Sequence, residues 1–526
     1  MASQAHQDLH FVLIPMMSQS YLIPSTDFAK LLAQQQGVTV SIITTPLNAA
    51  RFQAMIDRAR STSKLNIQLL PIRFPCREAG LPEGCENLDS LTSRSLVKQF
   101  FMATYMLQDP VEKLLAAMQP QPSCIITSNS LPWTSKLALK FNVPRFIFHH
   151  ISTFHLLCAH NIACSGADES VGSDTEPFLV PGVPDRIELT RAQLPDEVKR
   201  ATEEMKRAIE HMKNAELSAD GVLVNSFDEF DSWYAEEYAK VVKNVWCIGP
   251  VSLCNKDMSD KFNRGNKASI DEHHCLKWLD AMAPRSVIYA CFGSLCRISA
   301  PQLIQLALGL ESSNRPFVWI IRKEDYSAEL EKWLAEENFQ ERTKERGLIV
   351  RGWAPQVLIL SHPALGAFLT HCGWNSIMEG VCSKVPLITW PMFAEQFYNE
   401  RFIVDVLKIG VAIGVKVTMK WAQEKNLGVL VNKEDVKRAI DRLMDGGEEA
   451  AEIRRRVREM GEMANKAMEE GGSSQWNMKT MIQYVRKQAS LKALAQELDG
   501  LRGPCSPVAS AVSPGRLMFK SGEAAS

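Results

Sequence analysis

Two series of short β-rich runs, separated by stretches long enough for helices, constrain the fold of this chain more than any other feature. The first series comprises HFVLIPM, VTVSIITT, NIQLLPIRF, SCIITS, PRFIFHH and GVLVNSF, and the second comprises SVIYACFGSL, PFVWIIRK, GLIVRGW, GAFLTH, PLITWP and GVAIGV. Apolar strands that alternate with helical spacers are typical of parallel sheets. The sequence therefore predicts an α/β chain of two doubly wound domains with a cleft between them.

Length and local composition divide the chain into four parts. Its 526 residues exceed one ordinary core and suit two domains of roughly 200 to 250 residues each. We expect an N-terminal domain over 1–248, a linker rich in Gly, Asn, Asp, Ser and Lys over 249–270, and a second domain over 271–487. Residues 488–526 end in a stretch rich in Gly, Pro, Ser and Ala, which predicts a disordered tail.

The composition excludes several classes of protein. Apolar residues make up 46% of the chain and charged residues 23%, which is typical of a globular protein. Because 59 Lys and Arg residues balance 60 Asp and Glu residues, the chain has no basic footprint for nucleic acid or for an anionic membrane. No apolar run is long enough for a membrane span. These observations indicate a small-molecule partner, and we expect a monomer.

The cysteines and the N-terminus indicate the compartment. The 13 cysteines include no CxxC pair, so their spacing predicts neither a disulfide framework nor a metal site. Scattered thiols fit a reducing environment. The polar N-terminus MASQAHQDLH is unlike that of a signal peptide. The sequence therefore predicts a cytoplasmic protein.

Several familiar catalytic signatures are missing. The chain contains no GxGxxG, GxxxxGK[ST], HExxH or GxSxG motif, so nothing points directly to a dinucleotide-dependent dehydrogenase, a P-loop enzyme, a zinc protease or an α/β-hydrolase. No DxD occurs either, and a carboxylate pair of that spacing for a metal-bound nucleotide sugar is therefore lacking. Nothing in the sequence calls for a metal ion.

The most informative segment covers residues 353–396 and reads WAPQVLILSHPALGAFLTHCGWNSIMEGVCSKVPLITWPMFAEQ. Its centre predicts a strand that ends near His371, a turn, and a helix that begins near Asn375 and Ser376. A helix N-terminus offers free N–H groups and a positive dipole, which suit a phosphate group. Glu379, about one turn into that helix, can accept hydrogen bonds from a ribose diol. The segment thus predicts a site for a nucleoside phosphate.

The two ends of this segment offer partners for a nucleobase and for a sugar. Trp353 offers an indole that can stack on a nucleobase. Glu395 and Gln396, after the strand PLITWP, offer carboxylate and amide groups that suit sugar hydroxyls. Taken singly, a Trp or His at a strand end is more often a packing residue than a ligand-binding one. Their joint order within one segment favours the functional interpretation.

The segment closely resembles the signature box of the plant family 1 UDP-dependent glycosyltransferases. The resemblance covers most of residues 8–487, and FAEQFYNE and ASIDEHHCLKWLD resemble the subgroup that glycosylates flavonoids, triterpenoids and steroids. It implies a GT-B fold, with two facing Rossmann-like domains, an acceptor-binding N-terminal domain, a UDP-sugar-binding C-terminal domain, and a last helix that packs back on the first domain. It also implies inverting transfer from UDP-glucose as co-substrate, without another cofactor.

The resemblance also assigns donor-binding residues. Trp353 would stack on uracil, the Ala354 backbone would pair with its edge, and Glu379 would hold the ribose. The diphosphate would be bound by Ser294, His371, Asn375 and Ser376, and the sugar would be surrounded by Trp374, Glu395 and Gln396. The Gln at the end of the box indicates glucose over galactose. The full implied set is Ser294, Trp353, Ala354, Gln356, His371, Trp374, Asn375, Ser376, Glu379, Glu395 and Gln396. One departure is Lys384, where the family usually has Gly.

The chain departs from the family where the catalytic base is expected. In the first strand-to-helix turn the family usually reads Gln-Gly-His, and the His deprotonates the acceptor; here Gln19, Ser20 and Tyr21 occupy that turn. Ser128, in CIITSNSLPW, stands where the family has the Asp that supports this His. A tyrosine with pKa near 10 is ionised only about one part in a thousand at pH 7. Losing a general base typically costs about 10² to 10⁴ in rate.

Three interpretations follow. In the first, transfer continues with His150, or its neighbour His149, as the base, or with an acceptor acidic enough to ionise unaided. In the second, Tyr21 and Ser128 shape the acceptor site, while catalysis rests on positioning and on stabilising the diphosphate. In the third, the protein is an inactive binder of UDP-sugar or aglycone. We expect transfer, because a complete donor site would have little use in a pure aglycone binder.

Overall fold

The computed structural model describes residues 8–199, 202–325, 327–419 and 428–501. Its strands are short, apolar and mostly buried. In chain order they are β1 (Leu9–Ile14), β2 (Val38–Thr44), β3 (Ile67–Pro71), β4 (Cys124–Thr127), β5 (Arg145–His149), β6 (Pro177–Leu179), β7 (Glu188–Thr190), β8 (Gly221–Val224), β9 (Val245–Cys247), β10 (Val287–Cys291), β11 (Phe317–Ile321), β12 (Gly347–Arg351), β13 (Leu365–Thr370), β14 (Leu387–Thr389) and β15 (Gly410–Ala412).

Helices connect most of these strands and cover the sheets. The α-helices are α1 (Gln19–Ala33), α2 (Pro46–Thr62), α3 (Val97–Tyr105), α4 (Gln108–Ala117), α5 (Thr134–Phe141), α6 (Thr153–Ser165), α7 (Asp196–Lys199), α8 (Glu203–Leu217), α9 (Asp228–Tyr238), α10 (Met258–Phe262), α11 (Glu272–Asp280), α12 (Ala300–Ser312), α13 (Ala328–Glu336), α14 (Phe339–Thr343), α15 (Gln356–Leu360), α16 (Trp374–Cys382), α17 (Gln396–Arg401), α18 (Lys433–Met444), α19 (Glu448–Met468) and α20 (Ser473–Leu501). A π-helical turn, Phe402–Val406, continues α17.

The strands form two parallel sheets. Among the described residues, the first sheet has the order β3-β2-β1-β4-β5-β8-β9 and the second has the order β12-β11-β10-β13-β14-β15. A small antiparallel pair, β6-β7, lies outside both sheets. The prediction of an α/β chain with two doubly wound, Rossmann-like domains is confirmed, because every pairing within each large sheet is parallel.

Each sheet has a topological switch point, where ligands bind in open α/β folds. In the first sheet the chain order reverses between β1 and β4, and in the second sheet it reverses between β10 and β13. The turns that leave the carboxyl ends of these strands carry the polar residues singled out from the sequence. The topology therefore directs both sets of residues towards a shared cleft.

The C-terminal helix α20 packs on the first sheet. Met478, Met481 and Val485 are buried in one apolar cluster with residues of β1, β4 and β8. The helix continues to Leu501, so residues 488–501 are helical, in contrast to the predicted tail. The reason is local, because QASLKALAQEL is rich in strong helix formers and contains neither Gly nor Pro. Residues 502–526 lie outside the described residues, and the domain boundaries stay predictions.

Two features are absent from the described part of the chain. No helix in it is both long and apolar enough to cross a bilayer. No group of three or more His, Cys, Asp and Glu side chains in it is arranged to hold a metal ion.

Candidate active site

Tyr21 lies in the first turn of α1, directly after β1. Its ring meets the ring of His150 edge to face, with ring centroids 5.0 Å apart, and its hydroxyl contacts the hydroxyls of Ser130 and Ser128. Burial raises the pKa of Tyr21; the two serine contacts lower it in part, whereas the nearby Glu395 raises it. Tyr21 is therefore a neutral phenol at physiological pH.

The structure brings Tyr21, Ser128 and His150 together. Ser128, in the turn after β4, is buried, and its Oγ accepts a hydrogen bond from the Ser130 backbone at 3.2 Å. His150 directly follows β5 and packs against Phe148, with ring centroids 4.2 Å apart. Burial, helped by His149, lowers the pKa of His150 well below its usual value, and its Nδ1 has no partner among the described residues. The imidazole is therefore neutral and lies beneath the Tyr21 ring.

His149 lies on the other face of β5. Its Nε2 is 3.1 Å from Oε2 of Glu216, and the Tyr238 hydroxyl donates to Oε1 of the same carboxylate at 2.7 Å. Successive side chains of a strand point to opposite faces of the sheet, which explains why His149 and His150 have different neighbours. Of the two histidines, the structure places His150 beside Tyr21.

The turn from β13 into α16 has the geometry of an anion site. Gly373 precedes the helix and offers no side-chain cap, so the N–H groups that follow that of Trp374, which the Glu395 carboxylate contacts, are open to a ligand. The His371 ring lies against two glycines: a Cβ at Gly293 would be 2.5 Å from His371 Cε1, and one at Gly373 would be 2.3 Å from Nε2. Burial, helped by the charge of Arg322, lowers the pKa of His371 to about 3. A neutral imidazole thus stands beside the helix N-terminus.

The same turn is bonded to the first domain. The Trp374 indole donates to the carbonyl of Asn225 at 2.8 Å. The amide of Asn375 donates to the carbonyl of Ser20 at 2.8 Å, and the amide of Asn225 donates to Oδ1 of Asn375 at 3.3 Å. The predicted diphosphate and sugar residues therefore lie at the contact between the two halves of the cleft. Asn225 follows β8 in GVLVNSF, a polar end to an apolar strand that could have marked it in the sequence.

Glu379 has partners on both oxygens. Nε2 of Gln356 donates to Oε2 at 2.7 Å, and Nη1 of Arg264 donates to Oε1 at 2.5 Å. Gln356 also reaches Oγ of Ser376 at 3.2 Å, which links three of the predicted donor-binding residues. Arg264 was not predicted from the sequence, since a single Arg in a polar linker carries no recognisable signal.

Trp353 follows β12 and is half-buried next to the linker. Its backbone N–H donates to Oγ of Ser269 at 3.0 Å, and its backbone carbonyl accepts from the Ser269 N–H at 2.8 Å. Gly265 lies against the indole, because a Cβ there would be 2.5 Å from Cζ2 of Trp353. Ala354 is buried directly after the indole. Ser294, after β10, accepts at its carbonyl from Arg322 at 2.5 Å.

Glu395 and Gln396 stand at the start of α17. Oε1 of Gln396 accepts from the N–H groups of Met392 and Phe393 at 2.8 and 3.0 Å, which fixes the loop after β14. The Glu395 carboxylate contacts the Trp374 backbone at the open N-terminus of α16, and burial raises the pKa of Glu395 to about 7. Glu395, one of the residues that the resemblance assigns to the sugar, therefore adjoins the predicted phosphate site, and Gln396 follows it in the chain.

Lys384, the departure from the family pattern, explains why glycine is usual there. Its φ is 59°, in the left-handed region that glycine adopts without steric cost. Its Nζ is 3.4 Å from Glu462 Oε1 on α19. Lys384 therefore changes the strain of the turn after α16, and its ammonium group faces α19.

Two facing Rossmann-like domains with a phosphate-type helix N-terminus in the cleft define a GT-B glycosyltransferase. The family model described as "UDP-glucoronosyl and UDP-glucosyl transferase" matches residues 229–445. The UDP-glycosyltransferase 73C3 of Arabidopsis thaliana is 50% identical over 491 residues, which is 93% of this chain and 98% of that protein. The chain belongs to the plant family 1 UDP-glycosyltransferases, in the group numbered 73.

Solved structures of plant glycosyltransferases have the same fold. Glycyrrhiza uralensis UGT73P12, solved with glycyrrhetinic acid 3-O-monoglucuronide, has a TM-score of 0.87 and 38% identity, and the match covers 94% of this chain and 99% of that one. Arabidopsis thaliana UGT89C1, solved with UDP-L-rhamnose, has a TM-score of 0.69 and 26% identity, with coverage of 91% and 99%. The chain is therefore an enzyme that transfers a sugar from a UDP-sugar to a plant metabolite.

Proposed function

We propose that the enzyme transfers glucose from UDP-glucose to an oxygen of a small, apolar plant metabolite: a triterpenoid, a steroid, a flavonoid or another phenolic. The observation that carries this proposal is the open N-terminus of α16, flanked by His371 and followed by Asn375, Ser376 and Glu379. Neutral imidazole, amide and hydroxyl groups suit a diphosphate at that point, and Glu379 suits the ribose diol.

The choice of glucose rests on the start of α17. We assign Glu395 and Gln396 to the hydroxyls of the sugar, because Glu395 contacts the Trp374 backbone at the N-terminus of α16 and Gln396 is the next residue, at the start of α17. A Gln at the end of the segment favours glucose over galactose by family resemblance. UGT89C1 was solved with UDP-L-rhamnose, so donor choice is part of the test.

We further propose that Tyr21 and Ser128 take the places of the family's catalytic His and its supporting Asp. Their side-chain contact, between the turns that follow β1 and β4 of the first domain, supports this assignment. Tyr21 stays protonated because burial raises its pKa, so its phenol does not take a proton from the acceptor, and His150, the replacement base proposed from the sequence, is a weak base because burial lowers its pKa. These two pKa shifts favour an acceptor that loses its proton without a catalytic base, such as a carboxylic acid or an acidic phenol.

The reaction is a direct displacement. The ionised acceptor oxygen attacks the anomeric carbon from the side opposite UDP, a new C–O bond forms, and the bond to the diphosphate breaks with its electron pair leaving on UDP. The configuration inverts and the product is a β-glucoside. The helix N-terminus and the polar groups of α16 stabilise the charge that develops on the leaving diphosphate.

Mass spectrometry of reaction products tests this proposal. The protein is incubated with UDP-glucose, UDP-galactose or UDP-L-rhamnose and with a panel of flavonols, triterpenoids, steroids, aromatic acids and their glycosides. We expect glucosides of acidic acceptors from UDP-glucose, and none from Glu379→Ala. Products from another UDP-sugar alone would overturn the choice of donor. UDP binding without any product would favour the alternative, a non-catalytic binder of UDP-sugar.

A further inference from the structure

A short part of the interdomain linker, residues 264–269, lies against the proposed nucleotide site. Gly265 has a φ of +89° and its backbone packs on the Trp353 indole. Ser269 makes two hydrogen bonds with the Trp353 backbone. The linker therefore lines the proposed nucleotide site, although its composition predicted only a polar connection between the two domains.

Arg264 is the buried charged residue of this linker part, and it lies between two carboxylates. Its side chain is almost fully buried, its Nε donates to Oδ2 of Asp27 at 2.8 Å, and its Nη1 donates to Oε1 of Glu379. Burial alone would lower the pKa of Arg264, but the two carboxylates outweigh burial and raise it. The guanidinium therefore stays charged and joins both carboxylates at once.

The contact leaves Glu379 able to bind a ligand. A carboxylate has about four acceptor positions on its two oxygens. Arg264 takes one on Oε1 and Gln356 takes one on Oε2. One position remains on each oxygen, which matches the two hydroxyls of a ribose diol. Two fixed donors also set the plane of the carboxylate before any ligand arrives.

The other end of Arg264 is held by the first domain. Asp27 belongs to α1, whose first turn carries Tyr21, and it also accepts a hydrogen bond from Asn255 at 2.8 Å. Asp27 is fully buried. The chain of contacts from Asp27 through Arg264 to Glu379 therefore connects the helix of the acceptor side to the residue assigned to ribose.

We propose that Arg264 is a positioning residue for the UDP-sugar: it holds the Glu379 carboxylate in the orientation that receives the ribose diol and anchors that carboxylate to α1. This inference rests on the assignment of Glu379 to ribose under the proposed function. Because the ribose contact is the same in the ground state and the transition state, Arg264 acts on substrate affinity and leaves kcat nearly unchanged.

Calorimetric titration with UDP and steady-state kinetics with UDP-glucose test this role. In Arg264→Gln the charge-assisted bond to Glu379 is lost, and we expect Kd for UDP and KM for UDP-glucose to rise about tenfold, with kcat within about twofold. Arg264→Lys keeps the charge but loses the fork that reaches both carboxylates, so we expect a rise of about threefold. The matched control is Arg58→Gln, which removes an ion pair to Asp257 and Asp260 of the same linker.

A double-mutant cycle shows whether Arg264 acts through Glu379. In a Glu379→Gln background, Arg264→Gln should change the affinity for UDP less than twofold. If Arg264→Gln does not fold, Arg264→Lys carries the same comparison. An unchanged Kd in the Arg264 variants, equal losses in both backgrounds, or tighter UDP binding would overturn the inference while the proposed function stands. Failure of the unmodified protein to bind UDP would overturn both.

Discussion

The side-chain amide of Asn375 donates a hydrogen bond to the backbone carbonyl of Ser20 at 2.8 Å. That carbonyl is available because Pro24, four residues further along α1, has no N–H to bond it. A proline inside the first helix thus leaves an acceptor that the second domain uses. The bond joins the turn of Tyr21 directly to the helix assigned to the diphosphate.

Pro24→Ala tests this relationship. The new N–H can bond the Ser20 carbonyl within the helix, where it competes with the Asn375 amide and weakens the bond across the cleft. We expect KM for UDP-glucose to rise about threefold to tenfold, as the loss of one hydrogen bond predicts, without a fall in the melting temperature that would indicate a damaged helix. Unchanged kinetics in a stably folded variant would show that the bond plays no part in donor binding.

Restoring the family's base is expected to widen the range of acceptors. Tyr21→His together with Ser128→Asp places an imidazole and a supporting carboxylate where the two side chains now touch. We expect kcat for alcohol acceptors to rise by about 10² to 10⁴, because these acceptors need a base, and kcat for carboxylic acids to change little. Tyr21→Phe is the control, since it removes only the hydroxyl. Equal gains for alcohols and acids would contradict the proposed proton route.

His150→Phe examines the remaining imidazole. Phe keeps the aromatic packing with Tyr21 and Phe148 but has no proton acceptor. Because burial lowers the pKa of His150, we expect kcat with an acidic phenol to fall less than about tenfold. A loss of about 10² or more at unchanged melting temperature would identify His150 as the base, and it would disprove the unaided route.

The sequence predicted the parts of the site that depend on strand ends. His371, Trp353 and Glu395 each follow an apolar strand, and parallel strands bring their carboxyl ends to one edge. Site residues of this kind can be predicted from the sequence, because a short apolar run indicates a strand and the first polar residue after it lies at the edge of the sheet that faces the cleft. The same logic applied to GVLVNSF would have found Asn225.

Other features could not be read from the sequence. Arg264 lies in a linker without periodicity, and its partners Asp27 and Glu379 are distant in the chain. The burial of His150 under Tyr21, which determines its basicity, depends on how α1 packs over β5. Residues 488–501 are helical although the sequence predicted a disordered tail there, because the tail's Gly and Pro residues begin only after the helix-forming segment.

Replacing Lys384 by glycine should stabilise the protein. A side chain at φ 59° costs about 1 to 2 kcal/mol, and the extra freedom of glycine in the unfolded chain offsets about 0.5 to 1 kcal/mol of that. We expect Lys384→Gly to gain about 1 kcal/mol in free energy of unfolding over Lys384→Ala, which keeps the Cβ. Denaturation in urea measures the difference. Equal stabilities would mean that the turn relaxes around a side chain.

A buried carboxyl group is expected to make stability depend on pH. Folding raises the pKa of Glu400 from 4.5 to about 7, chiefly by burial, although the Thr389 hydroxyl donates to it at 2.7 Å. The folded state therefore holds this proton more tightly than the unfolded state. Its contribution is fully present below pH 4.5 and is lost as the pH rises through 7.

Glu400→Gln isolates that contribution, because the amide stays neutral at every pH. Between pH 5 and pH 8 the free energy of unfolding of the unmodified protein should fall relative to that of the variant, by up to about 3 kcal/mol. Urea denaturation at a series of pH values measures the difference. Glu336→Gln, on the exposed face of α13, is the control and should leave the slope unchanged. A parallel pH dependence of Glu400→Gln and the unmodified protein would show that Glu400 is ionised in the folded state, and its burial would then require a compensating charge nearby.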